Sequence, residues 1–314
     1  MDALSEVLKT VHLESAVCRR IELSAPWGWQ MESYDGAVFF VITRGSCWLE
    51  ADGLEIPLPL AGGDLVVLPR GQRHALRDDP KSPDVEGQDG LVAADEALQA
   101  FHLGGSGRST TLVYGRFHLE EPTVNPLLTA LPPLILVRGE EGQAVEWLNT
   151  TMQFIAGEMA ANRPGAQTVI SHLSGIIFIQ AVRAYIVNKE SCGRCWLRAL
   201  TDPQIGVALT SIHRHAEKPW TVAALASQVG MSRSAFATQF REIVGEPPLQ
   251  YLTRWRMHKA GGLLRLGKKP LAEVATLVGY ESEAAFSNAF KRWMNQSPGT
   301  YRQAARVGCA AKTF

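Results

Sequence analysis

The sequence lacks the marks of several protein classes. Only five of its 314 residues are cysteine, and its first residues do not form the basic and then apolar stretch of an export signal. Neither low-complexity tracts nor a large excess of charge is present, which excludes a mainly disordered chain. An odd number of cysteines without an export signal indicates reduced thiols, so we expect a cytoplasmic protein. The length allows two domains, each with its own core.

Uninterrupted apolar runs are also scarce. The most apolar long stretch is TVISHLSGIIFIQAVRAYIV, residues 168–187, and it carries polar and charged side chains that include His172 and Arg183. A membrane span needs about 20 predominantly apolar residues with few charges. The polar positions therefore favour a buried helix or a packing interface, and we expect no membrane partner.

The net charge of zero conceals an asymmetry along the chain. Residues 1–200 contain 16 Lys and Arg against 24 Asp and Glu, whereas residues 201–314 contain 15 against 7. The front of the chain is therefore acidic and the back is basic. A basic segment attached to an acidic one points to a polyanion partner for the C-terminal part alone.

Two segments of the basic part share one skeleton. They are LASQVGMSRSAFATQF (225–240) and VATLVGYESEAAFSNAF (274–290), and each has an Ala, a Val-Gly pair, a Ser and two Phe four residues apart. The glycine permits the positive φ that ends a helix, and the serine is a good N-cap for the next one. Each segment therefore predicts a helix, a tight turn and a second helix.

The phenylalanines mark the buried face of each second helix, so the opposite face is exposed. Its short polar groups, amides and cations suit a DNA major groove. A helical hairpin that only packs is the alternative, but two copies on a basic segment favour DNA. The predicted DNA contacts are Ser232, Arg233, Ser234, Ala237, Thr238 and Arg241 in the first copy, and Ser282, Glu283, Ala284, Ser287, Asn288 and Lys291 in the second.

Between the copies, PPLQYLTRWRMHKAGGLLRLGKK (247–269) has the pattern of one long helix. Pro247-Pro248 fits its start, and Gly267 with the lysines after it fits its end. Its buried face is expected to contain Leu249, Leu252, Leu263 and Leu264. A rigid helix of this length holds two helix-turn-helix units roughly 34 Å apart, about one DNA turn. A further helix upstream is expected to bury Ile205, Leu209 and Ile212.

These motifs resemble the AraC/XylS family of bacterial transcription regulators. The resemblance covers about residues 200–305 and rests on LASQVGMSRSAFATQF, PLQYL with WRMHKAGGLL, VATLVGYESEAAFSNAFKRW and SPGTYR, in this order. It implies a seven-helix fold in which a linker helix joins two helix-turn-helices, with DNA contacts at the exposed positions given above. In the first recognition helix Arg233 and Arg241 are the only cations. We therefore expect phosphate contacts to outweigh base contacts there.

Residues 21–135 alternate short apolar strands with Gly and Pro turns, as in a β-barrel or jelly roll. The spacing Gly63-Asp64-x4-Pro69-x-Gly71-x2-His74 resembles the second sequence motif of cupins. GSCWLEADG (45–53) resembles the strand pair before that motif. The N-terminal half is thus similar to the cupin-type domain found fused to many AraC-family regulators.

The cupin resemblance raises the question of a metal. A catalytic cupin brings two His and a Glu from its first motif and a His from the second, but Phe39 and Phe40 stand where the first ligands are expected. His102 and His118 lack a His or Glu companion at ligand spacing. We therefore predict no metal and no cofactor, and we place His74 in the pocket of a small-molecule signal. The predicted pocket residues are His74, Phe40 and Trp48.

Residues 142–190 have the pattern of two amphipathic helices. One stripe of the second helix consists of Leu173, Ile176, Ile177, Gln180 and Ala184. Its apolar positions exceed what one intrachain face needs, which indicates a homodimer interface; packing on the barrel is the alternative, and the two are compatible. KESCGRCWLRAL (189–200) is the expected hinge. The predicted domains are a cupin-like sensor (1–135), a helical dimerisation and linker segment (136–200) and a DNA-binding domain (201–306).

The cysteines offer a second kind of input. Cys192-Gly193-Arg194-Cys195 has the CxxC spacing of zinc and redox sites, but no second cysteine pair or nearby histidine pair completes a zinc site. Arg194 between these two cysteines, and Arg19 and Arg20 beside Cys18, can lower a thiol pKa. The redox candidates are Cys18, Cys47, Cys192 and Cys195. Inert thiols are the alternative.

Together these patterns predict an α+β protein with an N-terminal cupin-like β-barrel, a helical dimerisation segment and a C-terminal all-α double helix-turn-helix domain. We expect a sequence-specific DNA-binding transcriptional activator that responds to a small-molecule or oxidant signal and has no enzymatic activity. The expected partners are double-stranded promoter DNA, RNA polymerase, an unidentified effector and a second copy of the chain. The alternative function is a cupin-type metalloenzyme with an accessory DNA-binding domain.

Overall fold

The structure is a computed structural model, and it describes residues 3–8, 14–84, 101–118, 126–139, 143–161, 163–187, 196–267 and 269–310. Its contacts divide the chain into two compact units. The sheet unit consists of His12–Thr123 and Leu131–Asn188, and the helical unit consists of Met1–Val11, Val124–Ala130 and Lys189–Phe314. Strands lie in the first unit and helix-turn-helix motifs in the second, which confirms the predicted α+β class. The predicted domain boundaries at residues 135 and 200 remain predictions.

The strands of the sheet unit form two sheets. Their bounds are β1 (Glu14–Ser24), β2 (Gly28–Met31), β3 (Gly36–Arg44), β4 (Ser46–Ala51), β5 (Leu58–Ala61), β6 (Leu65–Leu68), β7 (His74–Arg77), β8 (Phe101–Gly104), β9 (Ser109–His118) and β10 (Ile135–Val137). The larger sheet has the order β10-β6-β3-β9-β1-β8, and the smaller has β2-β7-β4-β5. The described strand pairs are antiparallel except for β1 with β8.

The helices follow one numbering along the whole chain. Their bounds are α1 (Ala3–Leu8), α2 (Pro126–Ala130), α3 (Gln143–Ala161), α4 (Ala166–Val187), α5 (Trp196–Ala199), α6 (Ile205–Arg214), α7 (Val222–Gln228), α8 (Arg233–Val244), α9 (Pro248–Arg265), α10 (Leu271–Leu277), α11 (Glu283–Met294) and α12 (Pro298–Ala310). Helices α3 and α4 belong to the sheet unit and the others to the helical unit.

The core of the sheet unit lies between its two sheets. Because side chains alternate along a strand, Val38, Phe40 and Ile42 of β3 point to the same side. All three are buried in one cluster with Leu49 of β4 and Leu76 of β7, which belong to the smaller sheet. The inner faces of both sheets thus supply the core, as expected for a cupin-like barrel.

Phe39 points to the opposite side of β3 and packs beneath α4. Its ring lies 5.2 Å from that of Phe117, which lies 5.5 Å from the ring of Phe178 on α4. The partner of Phe39 on β9 is Gly115, where an added Cβ would lie 2.0 Å from the Phe39 ring. Phe39 is therefore a packing residue that requires a glycine beside it.

Helix α4 is long and apolar enough to cross a membrane by composition alone. An 18-residue window of it has a mean hydropathy of 1.5, and half of that window is buried within the structure. Of the predicted stripe Ile177 is fully buried, whereas Ile176 is 44% exposed. The buried side of α4 consists of Ala166, Ile170, Ser174, Gly175, Ile177, Phe178, Ala181, Val182 and Ile186. The predicted stripe is therefore mostly not the face that packs on the sheet.

In the helical unit, α6 to α12 supply the seven helices that the family resemblance implies. The three predicted core residues of α6 are fully buried: Ile205, Leu209 and Ile212. Helix α1 also belongs to this unit, where it packs against α6 and buries Leu4 and Val7.

Helix α9 runs as predicted from Pro248, but the prediction for Leu249 was wrong. Leu249 is 42% exposed, while Pro248 beside it is buried together with Tyr251, Leu252 and Trp255. Residues three, four and seven positions after Pro248 share its face, so the proline fills the position expected for the leucine.

Candidate nucleic-acid interface and effector site

The first helix-turn-helix consists of α7, a turn and α8. Gly230 in the turn has a φ of 68°, a left-handed conformation that favours glycine. Ser232 then caps α8, since its Oγ accepts a hydrogen bond from the backbone N–H of Ala235 at 3.3 Å. Phe236 and Phe240 are fully buried, with ring centroids 5.6 Å apart and ring planes at 54°. The two rings orient α8 against the core.

The second helix-turn-helix, α10 with α11, repeats this geometry. Gly279 has a φ of 83°, and the Oγ of Ser282 accepts a hydrogen bond from the N–H of Ala285 at 3.2 Å. Phe286 and Phe290 are fully buried, again with centroids 5.6 Å apart and planes at 54°. The sequence repeat is therefore a structural repeat down to the packing of its rings.

The predicted contact residues lie on the outer faces of α8 and α11. All are exposed except Ala237 and Ser287, which occupy equivalent positions and are half-buried. The hydroxyls of Ser232 and Ser282 accept the capping hydrogen bonds. These two serines therefore set the starts of α8 and α11, and their direct contact with DNA remains a prediction.

The exposed charges of the two helices are equal in sum but placed differently, since α8 carries Arg233, Arg241 and Glu242 and α11 carries Glu283, Lys291 and Arg292. On α8, Arg233 and Arg241 are exposed at its first and last turns. On α11, Lys291 is exposed near the C-terminal end and Glu283 is exposed in the first turn. Cations attract DNA phosphates, while a carboxylate repels them and can accept a hydrogen bond from the cytosine amino group. The arginine in the first turn of α8 is thus suited to a phosphate contact, and the carboxylate in the first turn of α11 is suited to a base contact.

A cleft of about 530 Å³ borders α8 on its outer side. Its lining residues are Ala237, Thr238, Arg241, Glu242, Pro247 and Pro248. Half of them are residues that the sequence predicts to contact DNA. The cleft therefore lies beside the predicted contact residues of α8.

Sequence reasoning missed Arg256, which lies on α9 between the two motifs. Its Nε donates a hydrogen bond to the carbonyl of Ala216 at 2.7 Å, and its Nη2 donates one to the carbonyl of Lys218 at 2.8 Å. Its guanidinium also lies over the ring of Tyr280, 5.7 Å from the ring centroid. The sequence signal that could have found it is an arginine between two large apolar residues, Trp255 and Met257, in the predicted linker helix.

In the sheet unit, two of the three predicted pocket residues come together. The rings of Phe40 and His74 are 5.1 Å apart inside the core, and the ring of Tyr114 lies 5.6 Å from Phe40. Trp48 lies between Cys47 and Leu49 on β4, both of which are buried in this core. Strand alternation places Trp48 on the opposite face. Its role in the pocket remains a prediction that this orientation does not support.

His74 is neutral and offers an unused acceptor. Its Nδ1 donates a hydrogen bond to the carbonyl of Gln72 at 2.6 Å, which leaves the lone pair on Nε2. Burial lowers the pKa of His74 from 6.5 to about 4. Among the described residues, Nε2 has no hydrogen-bond partner although it is buried. Such a group costs free energy unless something satisfies it, so it calls for an explanation.

Two tryptophans of the same core, which sequence reasoning missed, share this property. The indole N–H groups of Trp27 and Trp29 are buried and find no acceptor among the described residues. The ring of Trp29 packs edge-on against Tyr114 at 5.2 Å. Among the described residues of this core, Trp27 and Trp29 thus have unused donors and His74 has an unused acceptor, and Trp29 and His74 lie at the two ends of a series of adjacent rings that includes Tyr114 and Phe40.

Two of the redox candidates, Cys18 and Cys47, are poorly suited to redox chemistry. Cys18 and Cys47 are buried, and burial raises the pKa of each thiol to about 12. The thiolate is the reactive form, so both side chains are protonated at neutral pH. Cys192 and Cys195 lie outside the described residues, and their redox role remains a prediction.

Metal ligands are not grouped in the described part of the chain. No three or more His, Cys, Asp or Glu side chains there are placed to hold a metal ion. His102 is exposed and pairs with Glu22, with 3.2 Å between Nδ1 and the carboxylate. The side chain of His118 lies outside the described residues.

Comparisons with known proteins agree with this arrangement. A cupin family model matches residues 2–187, and a helix-turn-helix domain model matches residues 225–304. An AraC-like transcription regulator of Streptomyces lividans is 35% identical over 306 residues, which cover 96% of this chain and 98% of that protein. The HTH-type transcriptional regulator AlkR of Acinetobacter baylyi is 36% identical over 307 residues, 96% of this chain and 99% of that protein.

Among solved structures, the chain is similar to the DNA-binding domain of AdpA in complex with a target DNA. The identity is 34%, the match covers 34% of this chain and 96% of that domain, and the TM-score is 0.32. The near full-length matches to regulators carry the assignment, since they include both the cupin and the helix-turn-helix regions. The chain belongs to the AraC-like transcription regulators, DNA-binding proteins that here have an N-terminal cupin domain.

Proposed function

We propose that this regulator binds promoter DNA through the outer faces of α8 and α11 and activates transcription together with RNA polymerase. It acts in the cytoplasm as a homodimer, binds a small effector between the two sheets of the sheet unit, and catalyses no reaction. The observation that carries the DNA-binding proposal is the match in burial, position by position, of residues 232–242 and 282–292. That match leaves two equivalent polar faces exposed.

The two helices, α8 and α11, have different roles in DNA binding. Arg233 and Arg241 anchor α8 to phosphates, which fixes the register of the protein on the duplex. Asn288, exposed in the middle of α11, is suited to a bidentate contact with adenine. Glu283 at the start of α11 is suited to cytosine. We therefore assign most of the affinity to α8 and most of the sequence preference to α11.

The direct test is binding of fluorescent duplexes selected by the protein from a random pool, compared with unselected duplexes. Affinity should fall steeply as salt rises because bound Lys and Arg release counterions. Arg241→Ala should weaken binding to both kinds of duplex. Arg20→Ala is the matched control, since Arg20 is an exposed arginine of the sheet unit that pairs with Glu22 at 2.8 Å. Equal binding of selected and unselected duplexes at moderate salt would contradict the proposal.

The effector that fits the sheet unit is an uncharged, mainly apolar molecule with a hydroxyl group. Trp27 and Trp29 offer buried donors, and His74 offers a buried acceptor. A hydroxyl both accepts and donates a hydrogen bond, whereas a carboxylate has no hydrogen for His74. Phe40 and Tyr114 supply apolar ring surface for the rest of the molecule.

A cleft of about 430 Å³ borders the smaller sheet. Its lining includes Gln30, Glu50 and Ala75, which strand alternation places on the outer face, together with His74 and Leu54. Leu54 packs against the core cluster, and it lies in the turn that follows β4. A small molecule that displaces this turn would reach the aromatic rings behind it.

Three compounds of similar shape test which polar group the site prefers: benzyl alcohol has a hydroxyl, toluene has none, and benzoate has a carboxylate. We expect benzyl alcohol to raise the thermal unfolding midpoint of the native protein and to change its tryptophan fluorescence more than toluene does. His74→Phe should remove the difference between the two, while Trp48→Phe, on the opposite face of β4, should retain it. Stronger binding of benzoate would contradict the choice of a hydroxyl and would point to the buried Arg19.

The homodimer proposal is supported by the apolar side chains left exposed on α3 and α4. Phe154, Val169 and Ile176 are 62%, 42% and 44% exposed. A second copy of the chain would cover them. Ile176→Glu should shift sedimentation equilibrium toward the monomer, and Arg183→Glu, at another exposed position of α4, is the control. A monomeric native protein at micromolar concentration would contradict this proposal.

An oxidant input and a metalloenzyme remain as second candidates, and each has a simple test. The oxidant input is motivated by the Cys192–Cys195 spacing. If it operates, changing both residues to serine abolishes the transcriptional response to mild oxidant. The enzyme is motivated by the cupin match. Stoichiometric metal in the purified native protein would support it, and full DNA binding without metal would oppose it.

A further inference from the structure

We propose that Arg256 holds the two helix-turn-helix units at one fixed separation and thereby makes the regulator selective for the spacing between the two halves of its operator. The inference rests on the proposed DNA-reading role of α8 and α11. It adds a positioning residue that lies on neither reading helix.

Arg256 joins two parts of the helical unit that are far apart in sequence. The carbonyls that accept its hydrogen bonds, from Ala216 and Lys218, lie between α6 and α7, immediately before the first helix-turn-helix. The ring that its guanidinium covers, Tyr280, lies in the turn of the second helix-turn-helix. One side chain of the linker helix therefore touches the entry of one motif and the turn of the other.

The second turn is packed closely against this junction. A Cβ added at Gly279 would lie 2.6 Å from the carbonyl oxygen of Glu217 and 2.7 Å from Nη2 of Arg256. At Gly230, the equivalent glycine of the first motif, an added Cβ would meet nothing within 4 Å. The close approach is thus particular to the turn that Arg256 reaches, and it is not a requirement of the motif.

Packing contacts hold both ends of this link. Tyr280 packs edge-on against Phe286, with centroids 5.9 Å apart, and Phe286 orients α11. On the other side, Trp220 lies two residues after Lys218, and its Nε1 donates a hydrogen bond to the carbonyl of His215 at 2.8 Å, which holds the segment between α6 and α7. Movement of one motif against the other would break contacts at Arg256.

An arginine suits this position better than other cations. Its planar guanidinium donates in two directions and offers a face for stacking, while a lysine ammonium is a compact point charge. The neighbours Trp255 and Met257 are 3% and 1% exposed, so the backbone that presents Arg256 is held in the core. The backbone position of Arg256 is therefore fixed.

Arg254 provides a matched control on the same helix. It donates to the carboxylate of Glu246 from Nε at 3.0 Å and lies over the ring of Tyr251, 5.0 Å from the centroid. Both partners lie within eight residues of Arg254 in sequence. Replacing Arg254 removes a partly buried ionic contact of similar size without removing a link to the second motif.

The test uses a selected operator and versions with one base pair added or removed between its two halves. The native protein should lose about tenfold in affinity or more when the spacing changes, since one helix is displaced from its base edges. Arg256→Gln should bind all three duplexes with affinities within about threefold of one another, and Arg254→Gln should retain the native discrimination. Equal discrimination by native protein and Arg256→Gln overturns the proposal.

A second measurement needs no DNA and keeps the proposal testable if a glutamine variant folds poorly. Spin labels at Glu242 and Arg292, both exposed at equivalent positions of α8 and α11, report the distance between the motifs. We expect a narrow distance distribution in the native background and in Arg254→Gln, and a broad one in Arg256→Lys. An unchanged distribution in Arg256→Lys overturns the proposal. Failure of the native protein to select any DNA would instead overturn the proposed function.

Discussion

The two helix-turn-helix units have the same interior and different surroundings. Their paired phenylalanines have equal ring separations and angles, and their N-cap serines make equivalent hydrogen bonds. Their turns differ, because Gly230 faces open space while Gly279 is crowded by the backbone of Glu217 and by Arg256. The shared interior makes each segment a helix-turn-helix, and the surroundings decide what each copy contributes.

The outer faces differ as well. The first reading helix presents Arg233 and Arg241, and the second presents Glu283, Asn288 and Lys291. The buried positions carry similar residue types in the two copies, whereas most exposed positions carry different ones. Chemistry specific to each copy is therefore to be sought outside the shared skeleton.

The largest expected effect tests the shared interior. Phe236→Ala and Phe286→Ala should each lower the free energy of unfolding by about 3–5 kcal/mol, because each removes a fully buried aromatic ring. Urea unfolding followed by helical circular dichroism measures both. A cost under about 1 kcal/mol for either variant would break the equivalence of the two interiors.

The next effect separates the turns. Gly230→Ala should cost roughly 1–2 kcal/mol, since its left-handed φ is strained for alanine but its surroundings are open. Gly279→Ala carries the same strain and a clash with a backbone carbonyl, so its loss of stability should be clearly larger. The same unfolding measurement compares them. Equal losses of stability in the two variants would show that the close packing at Gly279 does not affect the free energy of unfolding.

A third comparison addresses the outer faces. Asn288→Ala should change base preference at one operator position by about 1–3 kcal/mol, as expected for loss of a base contact. Thr238→Ala, at the equivalent position of α8, should lower affinity slightly for all sequences. Binding to a set of single-base operator variants measures both profiles. A change of preference from Thr238→Ala alone would reverse the assigned roles.

The smallest effect tests the caps. Ser232→Ala and Ser282→Ala should each cost about 1 kcal/mol, because each leaves one backbone N–H at a helix start without its acceptor. The two losses should agree, since the two capping geometries agree. Thermal unfolding of the pair provides the measurement, and losses that differ several-fold would contradict their equivalence.

The sequence alone predicted the local structure of both repeated segments. The glycine, serine and phenylalanine positions predicted both turns, both caps and both buried faces, because each residue type has one strong local preference. Leu249 was mistaken because Pro248 takes the buried position in the first turn of α9. Arg256 was missed because its partners lie 38 or more residues away, or across a turn, where local patterns carry no information.

The sheet unit was harder to predict in detail. Cys47, Trp48 and Leu49 are consecutive apolar residues, so alternation could not say which of them face the core. Helix α4 is apolar on most sides, so the predicted stripe was mostly not the face that packs on the sheet. The unused polar atoms of Trp27, Trp29 and His74 are properties of packing, and they become visible once the strands are placed.

The central claim is that one chain reads DNA with two helix-turn-helix units on the same face of the duplex. Hydroxyl-radical footprinting of the native protein on an operator selected from random DNA tests it most directly. We expect two protected stretches about one helical turn apart, roughly 10 base pairs, on one face of the duplex. Asn288→Ala should weaken protection over one of them alone. A single protected stretch that both reading helices influence equally would contradict the claim.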